Sequence, residues 1–336
     1  MNPISAGPAT PETIQRLQAD VPAAFAMLAG LQLDIFSHLA SGARGPGDIA
    51  LSLGVAPEPV SRLLHALVLC GLLEHNGSGF ANTPEAATFL VRGLPGYIGG
   101  MHELLSQLWH ADLQTAQSIR TGQPQALHDF AASPEDEMAA MLRGMHPNAL
   151  ASGRDLARLF DFSQCRSVVD IGGGSGGLAA ALCQAHPGLR ATLFDLPRIV
   201  ALAVAILAAT PGGAGVAFEA GDILAGPPNG LHDAVVMRAL VQVLAPADAA
   251  RAIANAALAL RSGGTIHIVG GGILDDDRMG PRQAVFLNLT FLNLYRGGAS
   301  YTHMQHADWL AAAGCGEVRR VTLPSGAGIV SAVRLG

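Results

Sequence analysis

The chain has 336 residues, half of them hydrophobic and only 14% charged, with a net charge of −6. That length accommodates two domains of ordinary size, and the acidic balance argues against a nucleic-acid partner, which requires a basic face. No unbroken apolar run is long enough to span a membrane, and residues 1–20 have neither the basic start nor the apolar core of a secretory signal. Four scattered cysteines, Cys70, Cys165, Cys183 and Cys315, form no CxxC pair. Reduced thiols in a cytoplasmic protein, with no metal site, is the reading they support.

Residues 21–40 predict a helix, with Ala23, Ala24, Met27, Leu28, Leu31, Ile35 and Leu39 along one stripe. Residues 47–90 predict helix, turn, helix and short hairpin. Gly54 ends the first helix, and Pro57 and Pro59 open the second. Asn76-Gly77 supplies a tight turn between residues 72–74 and 79–81. This is a winged-helix pattern. Its second helix, residues 60–69, offers only Arg62 and His65 among apolar neighbours, too few donors to read DNA. Packing or dimerisation is the better use. Residues 95–160 predict further helices, punctuated by Gly96, Gly99, Gly100, Gly122 and Pro124, and carrying His102, His110, His128 and His146.

From Arg166 onward the pattern changes. Short β-like runs at 167–171, 190–194, 216–220, 234–237 and 265–269 alternate with Ala-rich helical runs, which predicts a parallel doubly wound α/β sheet. The end differs: residues 317–323, a Pro324-Ser325-Gly326 turn and residues 328–334 predict an antiparallel hairpin.

The strongest signal is VVDIGGGSGGLAAAL, residues 168–182. A strand ends at Asp170-Ile171, the glycines Gly172, Gly173 and Gly174 follow, and a helix begins. Glycines let the backbone turn sharply and approach a ligand, and the free N–H groups at the helix start meet its polar groups. Gly172, Gly174 and Gly177 also satisfy GxGxxG, which alone fits a dinucleotide. Asp170 tilts the balance. A carboxylate there suits the cationic end of S-adenosylmethionine and repels a pyrophosphate. Asp222, in AGDIL, offers an acceptor near an adenine. Asp195, in LFDLP, ends the second strand, where an acid bonds ribose hydroxyls.

In these residues the chain resembles the small-molecule O-methyltransferases that include plant caffeate-type enzymes, acetylserotonin methyltransferase and bacterial tailoring enzymes. The winged-helix stretch, the glycine loop, ATLFDLPRIV, AGDIL, VMRAL and LRSGGTIHIV fall in the family's order. The resemblance implies a Rossmann-like methyltransferase sheet with a C-terminal antiparallel hairpin. It also implies a helical, winged-helix N-terminal domain that builds a homodimer. The expected division is 1–110 for dimerisation, 111–160 for helices lining the acceptor pocket, and 161–336 for the cofactor. The implied cofactor residues are Asp170, Gly172, Gly173, Gly174, Asp195 with Leu196, Asp222 with Ile223, and Arg238. For the small-molecule acceptor they are Met141, Arg143, Met145 and His146, with Asn288, Phe291, Leu292 and Tyr295.

The resemblance breaks at the base. The family removes a phenol's proton with a histidine shortly after the position of Arg238. Here that position is Gln242, in RALVQVLAPAD, and glutamine is no base near neutral pH. The family's orienting Glu falls at Gly270, and a second acid at His303. Three readings follow. The base has moved, with His303, His146 or His102 as candidates. Or the acceptor needs none, as with a thioether sulfur, an enolisable carbon beside a carbonyl, or an already acidic oxygen. Or the chain only binds. An NAD-dependent oxidoreductase and a winged-helix regulator are the rivals from other classes.

Overall fold

A computed structural model describes residues 9–77, 79–94, 96–130, 132–323 and 326–336. The chain divides into two compact units, Met1–Ser106 and Gln107–Gly336.

In the first unit lie α1 (Glu12–Gln32), α2 (Ile35–His38), α3 (Pro46–Leu53), α4 (Pro57–Leu69), β1 (Leu73–Asn76), β2 (Gly79–Asn82) and α5 (Pro84–Phe89). The single helix expected over 21–40 is two. α1 starts earlier, and the break falls at Asp34, which takes the left-handed conformation with φ 53°. Its carboxylate accepts from Ser37 Oγ at 2.6 Å and pairs with Arg92 at 3.4 Å, so local side-chain bonds compete with helix continuation. Gly54 caps α3 in the left-handed region and Pro57 opens α4, as expected. β1 and β2 pair antiparallel from Leu73–Asn82 to Asn76–Gly79. Asn76 therefore closes the strand rather than entering the turn, and Ser78 of that turn lies outside the described residues. Ile35, Phe36, Ile49, Leu64, Leu67, Leu73 and Phe80 fill the core between these elements. Arg62 pairs with Glu58 of its own helix at 2.7 Å.

The helix α6 (His102–Asp112) crosses the division in sequence. Then follow α7 (Thr115–Thr121), α8 (Glu135–Leu159), β3 (Ser167–Ile171), α9 (Gly177–Ala185), β4 (Arg190–Asp195), α10 (Pro197–Ala208), β5 (Val216–Ala220) and β6 (His232–Arg238). The chain ends with α11 (Pro246–Leu258), β7 (Leu260–Gly270), β8 (Ile273–Leu274), α12 (Arg282–Leu294), β9 (Tyr301–Thr302), α13 (His303–Ala312), β10 (Cys315–Thr322) and β11 (Gly328–Arg334). The sheet order is β10-β11-β7-β6-β3-β4-β5. β3 to β7 are parallel, and β11 runs antiparallel to both β7 and β10. Each predicted strand is present. Of the hairpin turn, Pro324 and Ser325 lie outside the described residues. Both sheet faces are covered. Val169, Val235, Ile253 and Ile266 belong to one core layer, and Val168, Leu182, Leu193 and Val236 to the other, as the near-continuous apolar strands require.

One seam fixes the start of α9 against α8. α8 lays His146, Ala149 and Gly153 against the start of α9. A side chain at Gly153 would stand 2.6 Å from Leu178 O and 2.7 Å from the Ala181 methyl. The helices meet almost backbone to backbone there. Among the described residues no helix is long and apolar enough to cross a membrane.

Candidate active site

The loop between β3 and α9 turns through Gly172, Gly174 and Gly176, all with positive φ. Gly176 allows nothing else: φ is 72°, and a Cβ would lie 2.4 Å from Leu207 Cδ1. Asp195, half-buried at the end of β4, holds this loop. It accepts from Gly174 N at 2.8 Å and from Leu196 N at 2.7 Å. Asp222, past β5, accepts from Leu224 N at 2.9 Å, and Ile223 O accepts from Asn255 at 2.7 Å. Both carboxylates keep lone pairs for a ligand.

Asp170 is fully buried, and among the described residues its carboxylate has only the backbone N–H of Ala179 near it, too poorly aligned for a full hydrogen bond. Burial pushes its pKa up to about 7; Arg238 opposes the rise and Asp195 adds to it. Arg238 closes β6, donates to Ser152 Oγ of α8 at 3.0 Å, and has its own pKa lowered by burial against the pull of Asp170. Two acids and one guanidinium thus surround a bare glycine loop. A cation brought to the loop relieves the orphaned carboxylate, whereas a pyrophosphate adds to the repulsion. The residues fit S-adenosylmethionine.

The sign of this coupling is testable. An acid whose pKa is raised in the folded state stabilises the fold less as pH rises through that pKa. A bound cation favours the ionised form. Cofactor affinity should therefore rise from pH 6 to pH 8, by at most about tenfold per unit, with proton release on binding. Titration calorimetry in two buffers of different ionisation enthalpy measures it. Asp170→Asn should flatten the profile, and a flat wild-type profile would show that Asp170 does not titrate there.

The expected acceptor residues follow. Gln242 lies in the 3-10 turn Val241–Val243 after β6. A Cβ at Gly270 or at Gly272 would meet Gln242 Oε1 at 2.9 Å, and one at Gly272 would also touch Phe291 at 3.0 Å. So Gly270 does face Gln242, and both glycines make room for it. Leu240, two residues earlier, contacts Gly172 of the loop. Gly298 lies against Gln242 O and Tyr295 Cβ. The path from the glycine loop to Gln242, Phe291 and Tyr295 is continuous.

Around Tyr295 is an aromatic group that the sequence did not announce. Its ring stacks on Phe130 (6.4 Å, 17°) and meets Phe291 (5.5 Å) and His128 (6.2 Å). Burial pushes the Tyr295 phenol up to about 12, so it stays a protonated donor. Met141, Phe130 and Leu196 pack against the buried Met138, Leu142 and Ile199. Leu292 and Tyr295 line a cavity of about 270 Å³ with Gly122, Pro124 and Arg296.

Other candidates stand elsewhere. His146 is occupied on both sides of its ring. Thr210 Oγ1 donates to Ile206 O at 2.7 Å, so it accepts from His146 Nε2 at 3.1 Å. Nδ1 then accepts from Ser175 Oγ at 3.0 Å. The ring ties α8 to the glycine loop, and burial lowers its pKa. Met145 precedes it, half-buried, and Arg143 is exposed. Asn288 Oδ1 accepts from Ser300 N at 2.8 Å and so secures the segment after α12. His102 bonds Gly99 O within the first unit. His303 opens α13, its buried Nδ1 without a partner among the described residues.

Comparison with known proteins shows the family. Residues 113–315 match the O-methyltransferase domain, and residues 21–92 match the O-methyltransferase dimerisation domain. A 3-hydroxy-5-methyl-1-naphthoate 3-O-methyltransferase of Streptomyces sahachiroi is 31% identical over 92% of this chain and 91% of its own. The tetracenomycin polyketide synthesis 8-O-methyl transferase of Streptomyces glaucescens is 31% identical over 88% of each. In fold, the chain matches human N-acetylserotonin methyltransferase, solved in complex with S-adenosylmethionine, with a TM-score of 0.83 and 21% identity over 98% of this chain and 100% of that one. Such relatives do not favour the thioether and carbon acceptors that Gln242 suggested. Nor do they favour an oxidoreductase or a DNA-binding regulator. The chain belongs to the O-methyltransferase family and is an S-adenosylmethionine-dependent methyltransferase of small molecules.

Proposed function

We propose that this enzyme methylates a hydroxyl group on a planar aromatic acceptor acidic enough to need no strong base. The aromatic group of Phe130, Phe291 and Tyr295 beside Gln242 carries this reading. Flat rings stack there at offset or edge geometries, each contact adding ~0.5–1.5 kcal/mol. A hydroxynaphthoate, the kind of acceptor named for the Streptomyces sahachiroi relative, offers the flat ring and the hydroxyl, and exposed Arg143 on α8 offers a guanidinium for its carboxylate.

Residues 161–336 hold the cofactor in this reading, through the glycine loop, Asp195 at the ribose hydroxyls and Asp222 at the adenine. Residues 111–160 contribute Met141, Arg143, Met145 and His146 to the acceptor side, facing Asn288, Phe291, Leu292 and Tyr295. Bound S-adenosylmethionine supplies an electrophilic methyl group. The chain's own contribution is alignment, which can lower a barrier by ~7–11 kcal/mol. Gln242 orients the acceptor hydroxyl through its amide and takes no proton; that proton passes to water as the ether forms. Tyr295, held protonated, donates toward the acceptor. His146 braces the loop, and His303 at the start of α13 has no hydrogen bond at Nδ1 among the described residues.

Labelled S-adenosylmethionine tests this with a panel of hydroxynaphthoates, simple phenols, 2-oxo acids and thioethers. Label should enter the methyl ether of a hydroxynaphthoate. Label in a sulfonium or on carbon, with none in any aryl ether, would defeat the proposal. With that acceptor, Gln242→Ala should cost no more than about tenfold in rate, since one neutral hydrogen bond contributes ~1 kcal/mol. A true general base is worth ~10²–10⁴, so a thousandfold collapse with intact cofactor binding would give Gln242 a far closer role. Gln242→His should not create efficient methylation of ordinary phenols, because Gly270 offers the new imidazole no carboxylate.

The assembly proposed is a homodimer built through residues 1–110, which include the dimerisation-domain match. α1 exposes Ile14, Leu17, Val21 and Phe25, and Leu51 and Leu69 are 84% and 91% exposed. That is more apolar surface than a free unit leaves to water. Sedimentation at micromolar concentration should give about twice the chain mass; a monomer with full turnover would refute it. The four cysteines are free, which suits the reducing cytoplasm proposed as its compartment.

A further inference from the structure

His306 has no role in the reaction as described so far, and its placement is unusual. It is 2% exposed, on the first turn of α13. Its Nδ1 lies 2.8 Å from Thr302 O. A carbonyl only accepts, so Nδ1 carries the hydrogen and Nε2 keeps the ring's lone pair. The ring lines a small cavity, about 10 Å³, whose other walls include Ala239, Gln242, Gly270, Gly272 and Ile273. This is room for about one water. Burial lowers the pKa of His306 to about 4, against the pull of the Thr302 carbonyl and helped by neighbouring His303 and Arg320. The imidazole is therefore neutral at every working pH, a fixed acceptor rather than a proton carrier.

Gln242 complements it. Among the described residues no hydrogen-bond partner holds its side-chain amide. Half a turn of that amide exchanges oxygen for nitrogen, and only hydrogen-bond partners decide between the two orientations. A lone pair across the cavity selects the N–H end.

We propose that His306 is a positioning residue: its Nε2 accepts from the Gln242 amide N–H across this cavity, directly or through one bridging water, so that the Gln242 oxygen is the end offered to the acceptor hydroxyl. The first link concerns the resting protein alone. The second rests on the proposed role of Gln242 at the acceptor. No proton is transferred at either step. Gly270 and Gly272 serve the same end, since a side chain at either position would strike the amide and fill the space it shares with the imidazole.

The experiment has two arms. In the first, long-range proton–nitrogen spectra of the resting protein, labelled with ¹⁵N at histidine, are recorded from pH 6 to pH 9. His306 should be neutral throughout, protonated on Nδ1, and its Nε2 resonance should move when Gln242 is replaced by leucine while Nδ1 stays. An Nε2–H tautomer, or an Nε2 resonance indifferent to Gln242→Leu, overturns the proposal whatever the acceptor. In the second arm, His306→Phe keeps ring and volume but removes the lone pair. With the aryl acceptor found above, kcat should fall about as far as in Gln242→Leu, at most about tenfold, with KM for S-adenosylmethionine unchanged. The double variant should be no worse than Gln242→Leu alone. Additive losses overturn the coupling. A coupled resonance together with undiminished turnover in Gln242→Leu instead overturns the role of Gln242 at the acceptor, and with it the positioning role of His306.

Discussion

Asp195→Ala is expected to weaken S-adenosylmethionine binding by about ten- to a hundredfold while the protein stays folded. The carboxylate has two tasks. It is the acceptor proposed for the ribose hydroxyls, and it already holds Gly174 N and Leu196 N. A hydrogen bond to a charged group contributes ~1.5–3 kcal/mol, and each ~1.4 kcal/mol is tenfold. Losing the ligand contact alone accounts for the lower figure. Releasing the glycine loop from its anchor extends it, because the loop must then be ordered on binding. Asp195→Asn retains one oxygen acceptor and should fall between the two. Calorimetric titration measures the affinities, and circular dichroism checks the fold. Unchanged affinity in Asp195→Ala would move the ribose site away from the end of β4.

A second large effect is expected from Gly153→Leu, at the seam between α8 and α9. At this position α8 and α9 touch with no side chain between them, and a Cβ alone would stand 2.6 Å from Leu178 O. That neighbour is backbone and cannot rotate away. α8 must lift, and His146 lifts with it from Ser175 of the glycine loop. Overpacking costs ~1–3 kcal/mol and more where relief is blocked, so the melting temperature should drop by roughly 10 °C. Cofactor affinity should fall as well, because the loop loses its brace. Gly153→Ala should show part of both effects. If Gly153→Leu melts like the parent, the two helices are not in register as described.

What the sequence revealed, and what it concealed, follows from the range of the interactions. β3 begins and ends where its apolar run does, because a strand buried on both faces writes itself as a continuous apolar segment; the edge strand β5, exposed along most of its length, is marked instead by the flanking Gly215 and Gly221. The glycine loop and Asp195 were legible for a related reason: a sharp turn and an acid at a strand end are local requirements. The break at Asp34 was not, since the left-handed turn is held by Ser37 and also by Arg92, 58 residues on. Nor was the task of His146, whose partners Ser175 and Thr210 are 29 and 64 residues away. Residues 122–134 carry no periodic pattern, so nothing flagged His128 and Phe130 as neighbours of Tyr295. His306 looked like one more histidine on a helix, because the cavity that gives it meaning is assembled from β7, the turn after β6, and α13.

The contact between Gln242 and the glycines at 270 and 272 bears on how such an enzyme can change its chemistry over generations. A carboxylate introduced at Gly270 runs into the amide of Gln242, and an imidazole introduced at position 242 finds no carboxylate waiting. Neither change alone assembles a histidine–carboxylate pair, so positions 242 and 270 are expected to be exchanged together or not at all. The expected sign of that epistasis is that Gln242→His and Gly270→Glu gain together what neither gains alone.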